Sequence, residues 1–247
     1  CQQLGLSIFN GMSAPTLPAH SDVVLIGSGI MSAHLAVLLK ELDPRLTLQV
    51  FESASSLAPE SSHGWHNAGT GHAGLCELSY TPGMTGEGAV PVDKALEIYG
   101  LFDQSKQFWS HAVTTGITGA PETFIQPVPH LSFVHGDHYV RFLRARHEAL
   151  RAHHYFHDME FSTDPSEVAE WAPLLMEQRE QFPIAATRVR GGTDMNFGAL
   201  SRQLWHWLNR QSGCTVSPNC RVTALAPTIG YDAATKVAKT AHNNGTT

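Results

Sequence analysis

The run Gly27-Ser28-Gly29-Ile30-Met31-Ser32, with Glu52 standing 23 residues past its second glycine, has the residue types and spacing that hold a dinucleotide. A pyrophosphate needs backbone N–H groups and partial positive charge, and the N-terminus of a helix offers both. Gly27 permits the sharp turn out of a strand. Gly29 removes a side chain where backbone must approach phosphate, and Ile30, Met31 and Ser32 open the helix. Ser32 occupies the place of the third glycine in G-x-G-x-x-G, small but not bare. A carboxylate at the end of the second strand can accept both ribose hydroxyls, which makes Glu52 the ribose ligand and disfavours a 2′-phosphate and thus NADP. The competing reading is an ordinary βαβ unit with a glycine turn.

A second constellation follows closely. Ser61, Ser62, Gly64, Asn67, Gly69, Thr70 and Gly71 lie in one Gly/Ser/Asn-rich stretch that ends at His72. A plain NAD dehydrogenase builds another helix and strand here. A loop of small residues and open amides instead suits a cofactor that extends beyond its pyrophosphate, which is the reason to expect FAD.

The elements that must position these residues can be read from hydrophobic pattern. Val23 to Ile26 is a short apolar run, as in a strand buried on both faces. Met31, Leu35, Leu38, Leu39 and Leu42 form an apolar helical stripe, which predicts the buried face of the helix. Asp43-Pro44 ends that helix, and Leu46 to Phe51 alternates as a strand. The whole is β-α-β in about 30 residues. Residues 53 to 91 lose periodicity, and Trp65, Leu75, Leu78 and Tyr80 predict a packed loop. Helices are expected over 92–115, 137–155 and from 165, a strand over 184–189, and a helix after Asn196 that Gly213 closes. Short strands follow at 214–216 and 220–225.

Composition narrows the function classes. Hydrophobic residues make up 42% and charged residues 15%, too little charge for a coiled coil or a disordered chain. The formal charge of −6 argues against a nucleic-acid partner. The cysteines at 1, 76, 214 and 220 form no Cys-x-x-Cys pair, so neither a thiolate metal site nor a disulfide framework is expected, and no metal is assigned. No run of apolar residues is long enough to span a membrane. Residue 1 is Cys and the last residues are polar, so a piece of a longer protein is expected.

Longer stretches carry a resemblance. Asp22 to Ala33, Glu60 to His72, Leu75 to Pro82, Gln107-Phe108-Trp109, Val128 to Val134, Phe142 to Arg146, Glu170 to Leu174, Ala185 to Arg188 and Gly192 to Gly198 resemble, in order, the malate:quinone oxidoreductases. The family's usual Asn is replaced at His63 and His66, and the tail from Pro227 matches poorly. The resemblance implies an FAD-dependent oxidation of (S)-malate to oxaloacetate, with electrons passed to a membrane quinone. It further implies peripheral attachment to the cytoplasmic side of the cell membrane. Alternatives are another FAD-dependent 2-hydroxyacid or amino-acid dehydrogenase, or a truncated chain that only binds nucleotide.

The implied fold is α/β, a Rossmann-type FAD-binding domain of the glutathione-reductase-like kind with an interleaved α+β substrate domain. The expected division is an N-terminal segment over 1–20, the first part of the FAD domain over 21–80, the substrate domain over 81–200, and a truncated return over 201–247. Malate loses a hydride from C2 while a base takes the hydroxyl proton, which favours His, and His72 and His130 are the candidates. Two substrate carboxylates require cations, and Arg188 is the first choice, ahead of Arg144 and Arg146, which otherwise belong on a solvated helix face. Thr193, Asp194 and Asn196 either line the pocket or cap the next helix. Trp65 and Trp109 are expected in the core, and Cys76 is expected to pack.

Overall fold

The computed structural model describes residues 4–9, 20–71, 73–179, 181–227, 231–232 and 237–238. Two compact units emerge. Residues 1–67 and 197–247 form the first, and residues 68–196, inserted between those pieces, form the second.

The first unit begins with β1 (Leu4–Phe9), β2 (Val23–Ile26), α1 (Ile30–Leu42) and β3 (Leu48–Phe51). The second contains α2 (Asp93–Thr114), β4 (Ile125–Pro127), β5 (His130–His135), α3 (Asp137–Arg151), β6 (Glu160–Ser162), α4 (Pro165–Trp171), α5 (Pro173–Met176), β7 (Ile184–Val189) and β8 (Thr193–Met195). The chain then returns to the first unit with α6 (Phe197–Leu208), β9 (Cys214–Ser217), β10 (Arg221–Pro227), β11 (Tyr231–Asp232) and β12 (Val237–Ala238).

In the first unit β2, β3 and β9 make a parallel sheet in that order. β3 is central and buried along its whole length, so its expected alternation is absent. β2 is an outer strand of this sheet and leaves Ile26 exposed, which corrects the expectation of burial on both faces. β1 pairs with β10 antiparallel. Gly27, at φ +90°, turns the chain out of β2, a conformation that side chains disfavour.

α1 packs on α6, but not by the predicted stripe. Met31 is 80% and Leu42 82% exposed, and Leu35 and Leu38 also face outward. The buried face is Ala33, Ala36, Val37 and Lys40. Small side chains let the helix approach closely, and hydrophobic periodicity alone does not register volume. Lys40 is buried because its ammonium has work inside: Nζ donates to the carbonyls of Pro44 (2.6 Å), Leu46 (2.9 Å) and Ser212 (2.8 Å). These bonds tie the end of α1 to the start of β3 and to the turn before β9.

The second unit is built on an antiparallel sheet in the order β5-β7-β6. α3 buries Phe142, Leu143, Arg146 and Leu150. Asp164 caps α4 by accepting from the N–H of Ser166. The expected boundary near residue 80 falls inside this unit. Ala73 and Leu75 pack there with Ala95, Leu150, Phe156, Met159 and Val189, so the chain has already changed units by residue 68. Trp109 is buried as expected, whereas Trp65 is 91% exposed and belongs to no core.

Replacing Lys40 with Met keeps the stem and strands three carbonyls. Urea unfolding of Lys40→Met is expected to show a loss of about 3 kcal/mol with an unchanged m-value. Leu42→Ser, on the exposed face, should change stability by less than about 0.5 kcal/mol. The reverse order of these two effects would restore the predicted stripe as the buried face.

Candidate functional site

The glycine turn and the acid meet in the first unit. Gly27 follows β2, and its N–H bonds to the carbonyl of Phe51, which sets the end of β2 beside the end of β3. Glu52 then faces Ser28. Oε2 of Glu52 accepts from Ser28 N (3.0 Å) and Ser28 Oγ (2.7 Å), and Oε1 accepts from Ala54 N (2.9 Å) and Ser53 Oγ (3.4 Å). Burial pushes this carboxyl up, but the bonds from Ser28, Ala54 and Ser53 outweigh it and hold it below the usual carboxylate range. Glu52 is therefore an ionised, fixed acceptor at the strand end.

α1 has no side-chain cap of its own at Gly29. The N–H of Ile30 bonds to Ser62 Oγ at 2.9 Å. Among the described residues, the N–H groups of Gly29, Met31 and Ser32 have no partner. A Cβ built at Gly27 would meet nothing within 4 Å, and one at Gly29 would lie 3.3 Å from Ser62 Oγ. Open amides, open space and a fixed acid are what a dinucleotide's pyrophosphate and ribose require, so these residues fit such a group.

The loop from Glu60 to Asn67 is closed on itself. Asn67 Nδ2 donates to the carbonyls of Ser61 and His63, and the amides of His63 and His66 return to the carbonyls of Glu60 and His63. Gly64 lies within this turn. The His63 and His66 rings stand 4.7 Å apart. A Cβ at Gly198, in the first turn of α6, would lie 3.1 Å from the carbonyl of Ser62 and 3.2 Å from the amide of Gly64, a tight approach that would require this loop to shift by a few tenths of an ångström.

The remaining expected residues belong to the second unit. Gly69 takes φ +63° and packs on Asp194, and Thr70 bridges to Asp194. Gly71 donates to the carbonyl of Thr193 and leaves space for Phe102. The cofactor loop expected from sequence is thus divided, with Ser61 to Asn67 in one unit and Gly69 to Gly71 in the other. His72 lies outside the described residues.

His130 does not have the free nitrogen expected of a base. The ring is buried, with Nε2 at 3.0 Å from the carbonyl of Thr193 and Nδ1 at 3.7 Å from Cys76 Sγ. A carbonyl only accepts, so Nε2–H donates to Thr193 and Nδ1 faces the thiol. Burial, and then Glu77, push the Cys76 thiol up, which keeps it protonated.

His130 and Arg188 are not brought together either. His130 pairs with Val189 and Leu131 with Arg188, so the two side chains leave opposite faces of the sheet. Arg188 donates from Nε and Nη2 to Glu160 at 2.7 and 2.9 Å and lies over the Trp171 ring. Arg144 stands over Phe161.

Arg146 corrects the expectation of a solvated face. It is fully buried, donating from Nε to Thr81 Oγ1 (2.9 Å) and from Nη2 to the carbonyls of Gly74 (3.2 Å) and Leu75 (3.5 Å). Burial pulls its pKa down to about 10, against the opposing pull of Cys76 and Glu77. It lies on the inner face of α3 because the irregular segment after Gly74 has carbonyls without ladder partners to satisfy.

Sequence reasoning missed Ser28 and Trp205. Ser28 was legible in principle, as the polar residue between the two glycines. Trp205 had no local signal, because its partner is 177 residues away.

Comparison with known proteins adds the following. A family model described as malate:quinone oxidoreductase matches residues 19–246. The chain is 54% identical over 205 residues to a probable malate:quinone oxidoreductase 2 of Pseudomonas aeruginosa, covering 83% of this chain and 40% of that one. It is 51% identical over 211 residues to a probable malate:quinone oxidoreductase of Rhodopseudomonas palustris, covering 85% and 42%. The chain therefore spans roughly two fifths of the length of these relatives. Among solved structures it resembles a glycine oxidase from Bacillus cereus, with TM-score 0.54, 19% identity, and 81% and 46% coverage. It also resembles an L-α-glycerophosphate oxidase from Mycoplasma pneumoniae with FAD bound, with TM-score 0.53, 15% identity, and 81% and 44% coverage. These likenesses establish the α/β, Rossmann-type fold.

The Glu160 pair gives a pH prediction. Its bond to Arg188, helped by Arg190, holds the Glu160 carboxyl down at about 2, against an ordinary 4.5. A carboxyl depressed in the folded state stabilises fully above its unfolded pKa and loses that contribution as pH falls towards the folded one. Acid unfolding followed between about pH 5 and 2 should therefore show a steep limb that Glu160→Gln makes shallower. Identical limbs in the two proteins would remove the pair from the account of stability.

Proposed function

The chain belongs to the malate:quinone oxidoreductase family, and on that premise we propose that the whole protein oxidises malate to oxaloacetate with FAD and delivers the electrons to a membrane quinone. The observation that carries the reading is the coincidence of this family match with the open amides at Gly29, Met31 and Ser32 opposite the fixed Glu52 carboxylate. Gly27, Gly29, Ile30, Met31 and Ser32 hold the pyrophosphate, and Glu52 receives the ribose hydroxyls, taking them in place of its long bond to Ser53. Ser61, Ser62, Gly64 and Asn67 supply further cofactor surroundings within the first unit, and Gly69, Thr70 and Gly71 belong to the second.

Bound FAD supplies the hydride acceptor for C2 of malate. The chain's own task is to accept the hydroxyl proton and grip two carboxylates. His130 has both nitrogens engaged, so His72 takes the role of base in this reading. Arg188 remains the candidate for one substrate carboxylate, through the N–H groups that Glu160 leaves unused. The proposed division of labour gives cofactor binding to the first unit and substrate binding to the inserted unit, residues 68–196. Among the described residues no helix is long and apolar enough to cross a membrane. The proposed attachment is peripheral, at the cytoplasmic side of the cell membrane, where a quinone is within reach.

The test is anaerobic bleaching of bound flavin in the full-length protein. Malate should bleach it, whereas lactate, 2-hydroxyglutarate and amino acids should not. Bleaching by one of those and not by malate would replace the substrate. His72→Ala should retain the flavin spectrum and slow bleaching by about a hundredfold or more, while His130→Gln should slow it far less.

A further inference from the structure

The carbonyl of Ser28 is not free to turn. Trp205, 1% exposed on α6, donates its indole Nε1–H to that carbonyl at 2.6 Å. The same residue is held from two further sides. Ser28 N and Oγ donate to Glu52, and the N–H of Ala58 donates to Ser28 Oγ at 2.8 Å. Ser28 precedes the N-cap Gly29, so its carbonyl takes no bond from within α1. Here it is turned to an indole that arrives from a distant part of the chain.

That orientation has a partner. The carbonyl of Ser28 and the N–H of Gly29 belong to one peptide unit, which is trans, so the two point in opposite directions. An indole that fixes the carbonyl towards α6 therefore fixes the Gly29 amide away from α6. This is one of the three amides at the head of α1 without a partner among the described residues.

We propose that Trp205 is a positioning residue for the anion cradle, its indole N–H aiming the Gly29 amide at the pyrophosphate of a bound dinucleotide. The proposal rests on the cofactor reading above and adds to it a residue of α6 that acts through the Ser28–Gly29 peptide. Preorganised donors bind better than donors that must be turned on arrival, because the turning is then done by folding and not by the ligand.

The experiment compares ADP with adenosine on the full-length protein freed of flavin, by calorimetry, and FAD by flavin fluorescence. Trp205→Phe keeps an aromatic ring and removes the donor. FAD and ADP should weaken about tenfold, as for one lost alignment to a charged group, while adenosine, which lacks the pyrophosphate, should stay within about twofold. Equal weakening of ADP and adenosine would mean a general loosening and would overturn the proposal, as would unchanged ADP affinity. Should Trp205→Phe fold poorly, the benzothiophene analogue of tryptophan at position 205 replaces N–H by sulfur at nearly constant volume, and the same ADP-to-adenosine comparison decides. Failure of the unaltered protein to bind FAD or ADP is a separate result, and it would overturn the cofactor reading itself.

Discussion

A carboxylate withdrawn from water must be given donors or it takes up a proton. Glu52 is 6% exposed, and its donors are the amides and hydroxyls of Ser28, Ser53 and Ala54. Much of the first unit follows from meeting that demand. The turn after β2 must fold back over the end of β3, which Gly27 allows. The loop after Glu52 must curl so that Ala54 reaches the second oxygen, and Ala58 then finds Ser28 Oγ. Satisfying one charge in this way leaves the amides at the head of α1 as the unspent polar groups, and these are the groups a phosphate would use.

What the sequence made legible is what is local. A strand, two glycines, a helix and an acid lie within one short stretch, and their geometry follows from their order. The starts of α2, α3, α4 and α6 could likewise be read from periodicity and from residues such as Pro165, whereas α3 and α6 stop four to five residues before the expected ends. The failures share a cause, since each depended on a neighbour far away in the chain. The leucine stripe of α1 is outward because Ala33, Ala36 and Val37 fit closer to α6. Arg146 points inward because carbonyls after Gly74 await it. His130 is spent on Thr193 and Cys76, more than fifty residues away on either side. Of the candidate site, the glycine turn and Glu52 were legible, whereas the pinning of Ser28 by Trp205 was not.

The second unit solves a related problem by a different route. Its segment from Gly71 to Thr81 has little regular ladder, so its backbone groups are met by side chains. Arg146 takes the carbonyls of Gly74 and Leu75, Ser132 takes that of Cys76, and His130 braces Thr193 beside Gly71. Three polar side chains, each buried, thus substitute for a strand partner. An irregular segment held in this way keeps one shape without regular secondary structure, and a lost bond cannot be replaced by a register shift.

The central strand of the parallel sheet has a history as well as a place. β3 emerges from the ribosome with β2 as its only sheet neighbour, and its other partner, β9, is not made until the whole of the second unit has been translated. At ordinary rates that interval is roughly ten seconds or more. Through it the newborn chain carries an unpaired strand edge, with Leu48, Val50 and Phe51 uncovered, and a buried-type acid still open to water. The inserted unit can meanwhile fold by itself, since its own pairings are internal to it. Closure of the first unit is therefore a late, long-range event, and a holdase that shields residues 23–52 in the nascent chain would act where the delay is longest.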